Sequence, residues 1–268
     1  MNEFKRTAQS PRIAYAEKGQ GETVIFLHGI GGNRRNWDGE LRHFGRTCRA
    51  VAMDFRGYGD SDAIEDGFEF TDFVSDVTRV LDAMGVRKAH VVGLSMGGLV
   101  AQALYSRVPE RVMSLSLVAC RAADEPMLPP VRREAFIRER LEPLRMGGSE
   151  ALAVSLAPKL LGSTASPEAR DQVMDSLRKV RPEAYFKIME ARMRVAPMLD
   201  PGTVRVPTLV VGSDEDQVAP LEQMRALAAA IQGARLKEIR GAGHLINLEK
   251  PQEFQLALEN FLAGLKGR

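Results

Sequence analysis

The chain has 268 residues, 44% of them hydrophobic and 27% charged, with 37 basic residues against 35 acidic ones for a net charge of +2. That length can bury a large core as one domain with an insertion or as two domains, and the absence of a basic block interleaved with aromatics argues against a nucleic-acid partner. No apolar run approaches a membrane span, Met1–Ser10 is too polar for a signal peptide, and Cys48 and Cys120 offer no disulfide framework, so a cytoplasmic catalyst or small-molecule binder is expected.

The first half alternates short β-branched runs with helical patterns. Thr23–Leu27, Ala50–Met53, His90–Val92 and Leu115–Val118 are apolar nearly throughout, as strands covered on both faces of a parallel sheet must be. Between them, Phe70–Met84 carries apolar residues at 70, 73, 74, 77, 80, 81 and 84, one helical face. Met96–Arg107 is a second helix, apolar on nearly all sides and so expected inside. The rhythm returns late, with strand Thr208–Val211, helix Leu221–Ile231, strand Leu236–Ile239 and a last helix from Pro251 bearing apolar positions 254, 258, 261, 262 and 265. Alternating strands and helices on short loops predict an α/β doubly wound sheet.

Residues 121–200 break that rhythm with 8 of the 14 prolines, 6 of the 12 methionines and no good strand. Ser166-Pro167-Glu168 reads as a helix start, with a serine cap, proline at the first position and an early acid. The expected organisation is therefore a core over 1–120, a helical cap insertion over 121–200 and the rest of the core over 201–268. Insertions at the carboxyl ends of parallel strands cover the ligand crevice, so this one is read as a lid. Its methionines (127, 146, 174, 189, 193 and 198) suggest a plastic apolar pocket, with ordinary packing as the plainer alternative. Its 14 basic and 12 acidic residues are too evenly balanced to indicate a charge preference.

The chemistry centres on Gly93-Leu94-Ser95-Met96-Gly97-Gly98, between a buried strand and a helix. Glycines keep Cβ atoms out of a sharp turn there, and the serine Oγ projects at the positive end of the helix dipole. A tight corner that happens to contain a hydroxyl is the plainer reading. A serine hydroxyl needs a base, and the base an orienting acid. His244 follows the last predicted strand in Gly241-Ala242-Gly243-His244; His90, at a strand start, reads as structural and His43 as solvated. For the acid, Asp214, Glu215 and Asp216 compete after strand Thr208–Val211, with Asp124 a weaker choice. The glycine-rich turn His28-Gly29-Ile30-Gly31-Gly32 can turn backbone N–H groups toward the site, one of them to pair with that of Met96 in an oxyanion hole. The same turn, with Asp54 ending the next strand, superficially resembles a dinucleotide fingerprint, but Arg34 stands where its third glycine belongs.

Five motifs together carry a family resemblance. They are His28-Gly29-Ile30-Gly31, Asp54-Phe55-Arg56-Gly57-Tyr58-Gly59-Asp60-Ser61, Gly93–Gly98, Gly212…Asp216…Pro220 and Gly241–His244. In this order and spacing the chain resembles the α/β-hydrolase family across residues 10–265, the lid excepted, and is most similar to small bacterial carboxylesterases and 3-oxoadipate enol-lactonases. The resemblance implies an α/β-hydrolase fold, mostly parallel, with a helical cap after its sixth strand. It implies Ser95 as nucleophile, His244 as base, and Asp216 as acid because the family places a proline four residues beyond it, here Pro220. Three residues separate Gly212 from Asp216 where the family has two, which keeps Asp214 in play. Ile30 and Met96 are the implied oxyanion donors, with no cofactor and no metal. The implied activity is hydrolysis of a small-molecule ester or lactone. Carbon–carbon bond hydrolysis, perhydrolysis and a poorly catalytic receptor are the alternatives.

Overall fold

The computed structural model describes residues 3–122, 130–194 and 199–265. Eight strands form one sheet: β1 (Lys5–Arg6), β2 (Ala14–Lys18), β3 (Thr23–Leu27), β4 (Arg49–Met53), β5 (Ala89–Leu94), β6 (Val112–Val118), β7 (Thr208–Ser213) and β8 (Arg235–Ile239). Their order is β1-β2-β4-β3-β5-β6-β7-β8. β1 and β2 pair antiparallel at one edge, and every pairing from β4 through β8 is parallel. The expected strands are all present, Thr23–Leu27 unchanged and the others one to three residues longer. The short β1 and the alanine-rich β2 carry too little alternation to be read from sequence.

The sheet is covered on both faces, and consecutive residues of its central strands serve opposite cores. In β3, Ile25 and Leu27 join one apolar cluster while Val24 and Phe26 join the other, and β4 divides Val51 and Met53 from Ala50 and Ala52 in the same way. Helices α2 (Asp72–Ala83), α3 (Met96–Arg107) and α7 (Leu221–Ala230) cover the first face, and α1 (Asp38–Phe44) and α9 (Pro251–Ala263) the second. Trp37, 1% exposed, lies 5.1 Å from Phe26 and 6.0 Å from Phe254, ring centre to ring centre, and so ties that second face together. β8 differs from its neighbours: four of its five residues are exposed, and its charges line an open sheet edge, a usual way of blocking edge-to-edge pairing.

Between β6 and β7 run α4 (Pro130–Leu160), α5 (Pro167–Arg178) and α6 (Pro182–Arg194). α4 is broken at Gly147–Gly148, where Gly148 has φ of 66°, a conformation that favours glycine. These helices build their own apolar cluster around Leu152, Leu156, Leu177 and Tyr185. Ser166 caps α5 as expected, accepting from the Ala169 N–H at 3.2 Å.

Strand order decides where a ligand can lie. The chain goes from β3 to β4 on one side and returns with β5 on the other, so the loops after β3 and β5 diverge at a crevice above the carboxyl ends of the strands. The turns containing His28–Gly32 and Ser95 meet there.

Candidate active site

Ser95 stands between β5 and α3 with φ of 55° and ψ of −112°, a strained backbone for a residue with a Cβ. Its neighbours explain how the turn survives. A Cβ on Gly93 would run into the Gly97 backbone, one on Gly97 into the Leu27 carbonyl, and one on Gly98 would sit 2.5 Å from Cys120 Sγ. The Ser95 N–H donates to the Val118 carbonyl at 2.8 Å, anchoring the turn to β6. The glycines are thus required by close approach of three strand-end segments, and the hydroxyl is left projecting from the turn.

The structure brings His244 to that hydroxyl, with Nε2 2.8 Å from Ser95 Oγ and Nδ1 2.8 Å from Asp216 Oδ2. A carboxylate only accepts, so Nδ1 carries the proton and Nε2 is left to accept from the serine. Both side chains are buried, at 5% and 0% exposure. Asp216 is itself held: its Oδ1 accepts the N–H groups of Val218 at 2.7 Å and Ala219 at 2.9 Å, a local turn that fixes the carboxyl just before Pro220.

The other two carboxylates of that loop have different partners. Asp214 accepts the Gly241 N–H at 2.7 Å, and Glu215 accepts both the Ser163 N–H at 2.5 Å and its hydroxyl at 2.9 Å. Three consecutive acids therefore face three targets: Asp214 the histidine loop, Glu215 the turn after α4, and Asp216 the imidazole. Asp124 lies outside the described residues. His90 Nδ1 is bonded to Ser114 Oγ at 2.8 Å inside the sheet, and half-buried His43 faces Glu259 at 3.4 Å, both away from Ser95.

Ile30 and Met96 flank the same space. Met96 is the first residue of α3, where an N–H has no acceptor one turn back, and among the described residues neither its N–H nor that of Ile30 has a protein acceptor. The Ile30 loop is supported by His28, whose Nδ1 donates to the Gly29 carbonyl at 2.8 Å and whose Nε2 accepts the Phe55 N–H at 3.2 Å. Burial holds the His28 pKa below the ordinary imidazole range, partly offset by nearby Asp54, so the ring stays neutral and keeps both bonds. Asp54 is engaged by the backbone N–H of Arg34 at 2.7 Å and by its guanidinium, which also reaches Asp60 at 2.7 Å. That engagement, with Arg34 in the approach to the next helix, disposes of the dinucleotide reading of this turn.

Sequence reasoning missed two sets of residues. Glu249, 8% exposed, accepts the N–H groups of Gly162 at 2.7 Å, Gly243 at 3.1 Å and Leu245 at 3.3 Å. It clasps the histidine loop to the end of α4, and the His244 N–H adds a bond to the Leu160 carbonyl at 2.8 Å. Its position five residues after His244 and two before Pro251 was visible, but a carboxylate at a helix start also reads as an ordinary cap. The second set is basic. The cavity above Ser95, about 520 Å³, is lined by Arg121, Arg140, Lys159 and Arg192 as well as by Ser95, Met96 and His244. Nothing in the spacing of arginines along polar helices tells which of them point inward.

The expected methionine pocket is not found among the described residues. Met146 is 83% exposed, Met189 is buried in the core of the helical segment and Met174 partly so, and none of them lines the cavity. The side chain of Met193, together with Met127 and Met198, lies outside the described residues. The methionines that α4–α6 bury serve those helices' own packing.

Among the described residues, no group of three or more His, Cys, Asp or Glu side chains could hold a metal ion, and no helix is long and apolar enough to cross a membrane. Comparisons with known proteins agree with the architecture. Across 94% of its length the chain is 31% identical to the dihydrolipoyllysine-residue acetyltransferase component of the acetoin cleaving system of Cupriavidus necator, covering 67% of that protein. It superposes with a TM-score of 0.88 on a thermophilic esterase from Thermogutta terrifontis solved with malate bound, at 25% identity over 98% of this chain and 99% of that one. The enol-lactonase from Burkholderia xenovorans LB400 gives a TM-score of 0.87 at 25% identity, over 97% of this chain and 100% of that one. The alpha/beta hydrolase family model matches residues 24–255. With its eight-stranded, mostly parallel sheet and flanking helices, the chain belongs to the alpha/beta hydrolase family.

Proposed function

We propose that the protein is a carboxylic-ester hydrolase that works through an acyl-enzyme, with Ser95 as nucleophile, His244 as general base and acid, and Asp216 as the acid that orients the imidazole. The observation that carries this reading is the unbroken relay from Asp216 Oδ2 to His244 to Ser95 Oγ, two contacts of 2.8 Å each, opening into a cavity of about 520 Å³. His244 Nε2 takes the Ser95 proton as Oγ attacks the ester carbonyl. The tetrahedral oxyanion is held by the N–H groups of Ile30 and Met96, which act where charge develops and need no reorganisation. His244 then protonates the leaving alcohol, and water repeats the cycle on the acyl-enzyme. The helices of 121–200 serve as the cap, and two buried free thiols, Cys48 and Cys120, fit a cytoplasmic setting.

Hydrolysis of p-nitrophenyl esters by the protein and by Ser95→Ala tests this. The variant is expected to lose about 10⁴-fold or more in kcat while keeping the same circular dichroism spectrum. Turnover retained within tenfold would overturn the assignment. A second reading, an enol-lactonase, is favoured by the cationic lining of the cavity, since such a lactone carries carboxylates.

A further inference from the structure

The histidine loop is held peptide by peptide. In the unit ahead of His244, the Ala242 carbonyl accepts the Glu215 N–H at 3.2 Å and the Gly243 N–H donates to Glu249 at 3.1 Å. In the next, the Gly243 carbonyl accepts the Ser213 hydroxyl at 2.6 Å and the His244 N–H donates to the Leu160 carbonyl at 2.8 Å. In the third, the Leu245 N–H turns back to Glu249 at 3.3 Å. One carboxylate thus takes the N–H on either side of the imidazole-bearing residue, and its Oε2 also accepts the Gly162 N–H at 2.7 Å.

Glu249 reaches these groups because it ends the one-turn helix α8 (Ile246–Glu249), and its side chain folds back over the loop that precedes that turn. It is buried, and among the described residues it pairs with no cation. The two segments it joins are in backbone contact. A Cβ on Gly243 would stand 2.5 Å from the Gly162 nitrogen, and one on Gly162 would stand 2.7 Å from the Gly243 nitrogen.

We infer that Glu249 is a positioning residue for the base, fixing the backbone on both sides of His244 with the Gly162 N–H as the anchor of its carboxylate. The inference rests on the reading of His244 as base given above. A carboxylate that only tied two segments together could do so at any N–H along them. Taking the N–H groups of residues 243 and 245 instead fixes the peptide planes that aim the His244 Cα–Cβ bond, and with it the reach of Nε2 to Ser95. Displacing a reacting group by about 1 Å can cost about 10²-fold in rate. A carboxylate suits this task because it offers acceptors only, whereas a carboxamide would turn N–H donors against N–H donors.

The test compares Glu249→Gln with Thr164→Val on one p-nitrophenyl ester. Thr164 joins the same two segments, its hydroxyl donating to the Gly241 carbonyl at 2.8 Å, but it leaves the N–H groups beside His244 alone. Glu249→Gln, at a temperature where circular dichroism shows it folded, is expected to lower kcat by about tenfold or more with KM within about threefold. Thr164→Val should keep kcat within about threefold. A smaller loss in folded Glu249→Gln, or an equal loss in Thr164→Val, would overturn the inference. Should Glu249→Gln fail to fold, Glu249→Asp decides: its shorter stem should lower kcat by about fivefold or more at unchanged KM, and a smaller loss overturns the inference.

A second readout does not depend on turnover. The downfield proton resonance of His244 Nδ1–H, assigned by its loss in His244→Gln, reports the contact with Asp216. Glu249→Gln should shift or abolish it, and Thr164→Val should leave it in place. If no ester is hydrolysed at all, the hydrolase reading fails and this resonance decides the positioning separately: an unmoved signal in folded Glu249→Gln overturns it.

Discussion

The strand-end loops of the sheet and the helices of the segment between β6 and β7 contribute to the same cavity in different ways. In the sheet, each group near Ser95 is set by a short stretch of sequence: a glycine that admits a carbonyl, a carboxyl that accepts two N–H groups within three residues, a histidine behind a glycine turn. In the helical segment the contributing residues, Arg140 and Arg192, lie far apart in sequence, on helices whose inward faces are set by docking. That docking is polar and specific. Arg181 donates to the carbonyls of Tyr58 at 3.0 Å and Ser61 at 2.8 Å, Asn36 donates to Ser176 Oγ at 2.9 Å, and Glu249 holds Gly162. The difference teaches that a turn needing local geometry leaves a motif, whereas a cavity lining built from tertiary contacts leaves only composition.

The sharpest way to break that comparison is to exchange two carboxylates that stand two residues apart. Asp216→Asn is expected to cut kcat by about 10³- to 10⁴-fold, since the imidazole loses its orienting acceptor. Asp214→Asn should cost less than about tenfold, because its carboxyl meets a backbone N–H rather than the ring. Steady-state kinetics on one activated ester decide it, and the reverse order would move the acid to Asp214. Next in size is Gly97→Ala. The added Cβ meets the Leu27 carbonyl, a rigid strand end, so a loss of about 4 kcal/mol or more is expected, measured by urea unfolding; a loss under about 1 kcal/mol would show the turn to be pliable.

Glu40, on α1, gives a pH-dependent effect. Burial pushes its carboxyl up to about 7 from the usual 4.5, against the lowering by Gln255 and its other neighbours. The folded state therefore binds this proton more tightly than the unfolded chain. The stability it contributes is whole below about pH 4.5 and is lost as pH rises through about 7. Glu40→Gln should raise stability at pH 8 by up to about 3 kcal/mol and gain little at pH 4.5, as read from Tm at the two values. An equal gain at both would remove the titration from the account. The smallest effect belongs to the helical segment, where Ser166→Ala should cost about 1 kcal/mol by losing the α5 cap. A drop in Tm larger than that of Gly97→Ala would reverse the ranking of the two regions.

Much of the fold was legible because parallel strands covered on both faces must be apolar throughout. β3 shows this over the four consecutive residues Val24–Leu27, and α2 shows the matching helical face at Phe73, Val74, Val77, Val80 and Leu81. β1 and β2 escaped notice because two polar residues and an Ala-Tyr-Ala stretch carry no such signature; β2 is a strand through pairing with β4, and β1 through pairing with β2. The residues expected around Ser95 were legible for the same local reason, as glycines mark where backbones must approach. Among the described residues Met146, Met174 and Met189 do not line the cavity, because composition places a residue in a segment without saying which way it faces.

The sequence by itself determined the buried parallel strands, the turn that projects Ser95 and His244 as its candidate base, with the acid open among Asp214, Glu215 and Asp216, since close packing and tight turns restrict residue type at each position; the family resemblance implied Asp216, Ile30 and Met96. Only the tertiary structure decided which of three neighbouring acids reaches the imidazole, how Glu249 joins the histidine loop to α4, and that three arginines share one cavity. Those outcomes depend on the relative placement of elements tens of residues apart, and a side chain on a polar helix can face water or a cleft without any change in the local pattern that encodes it.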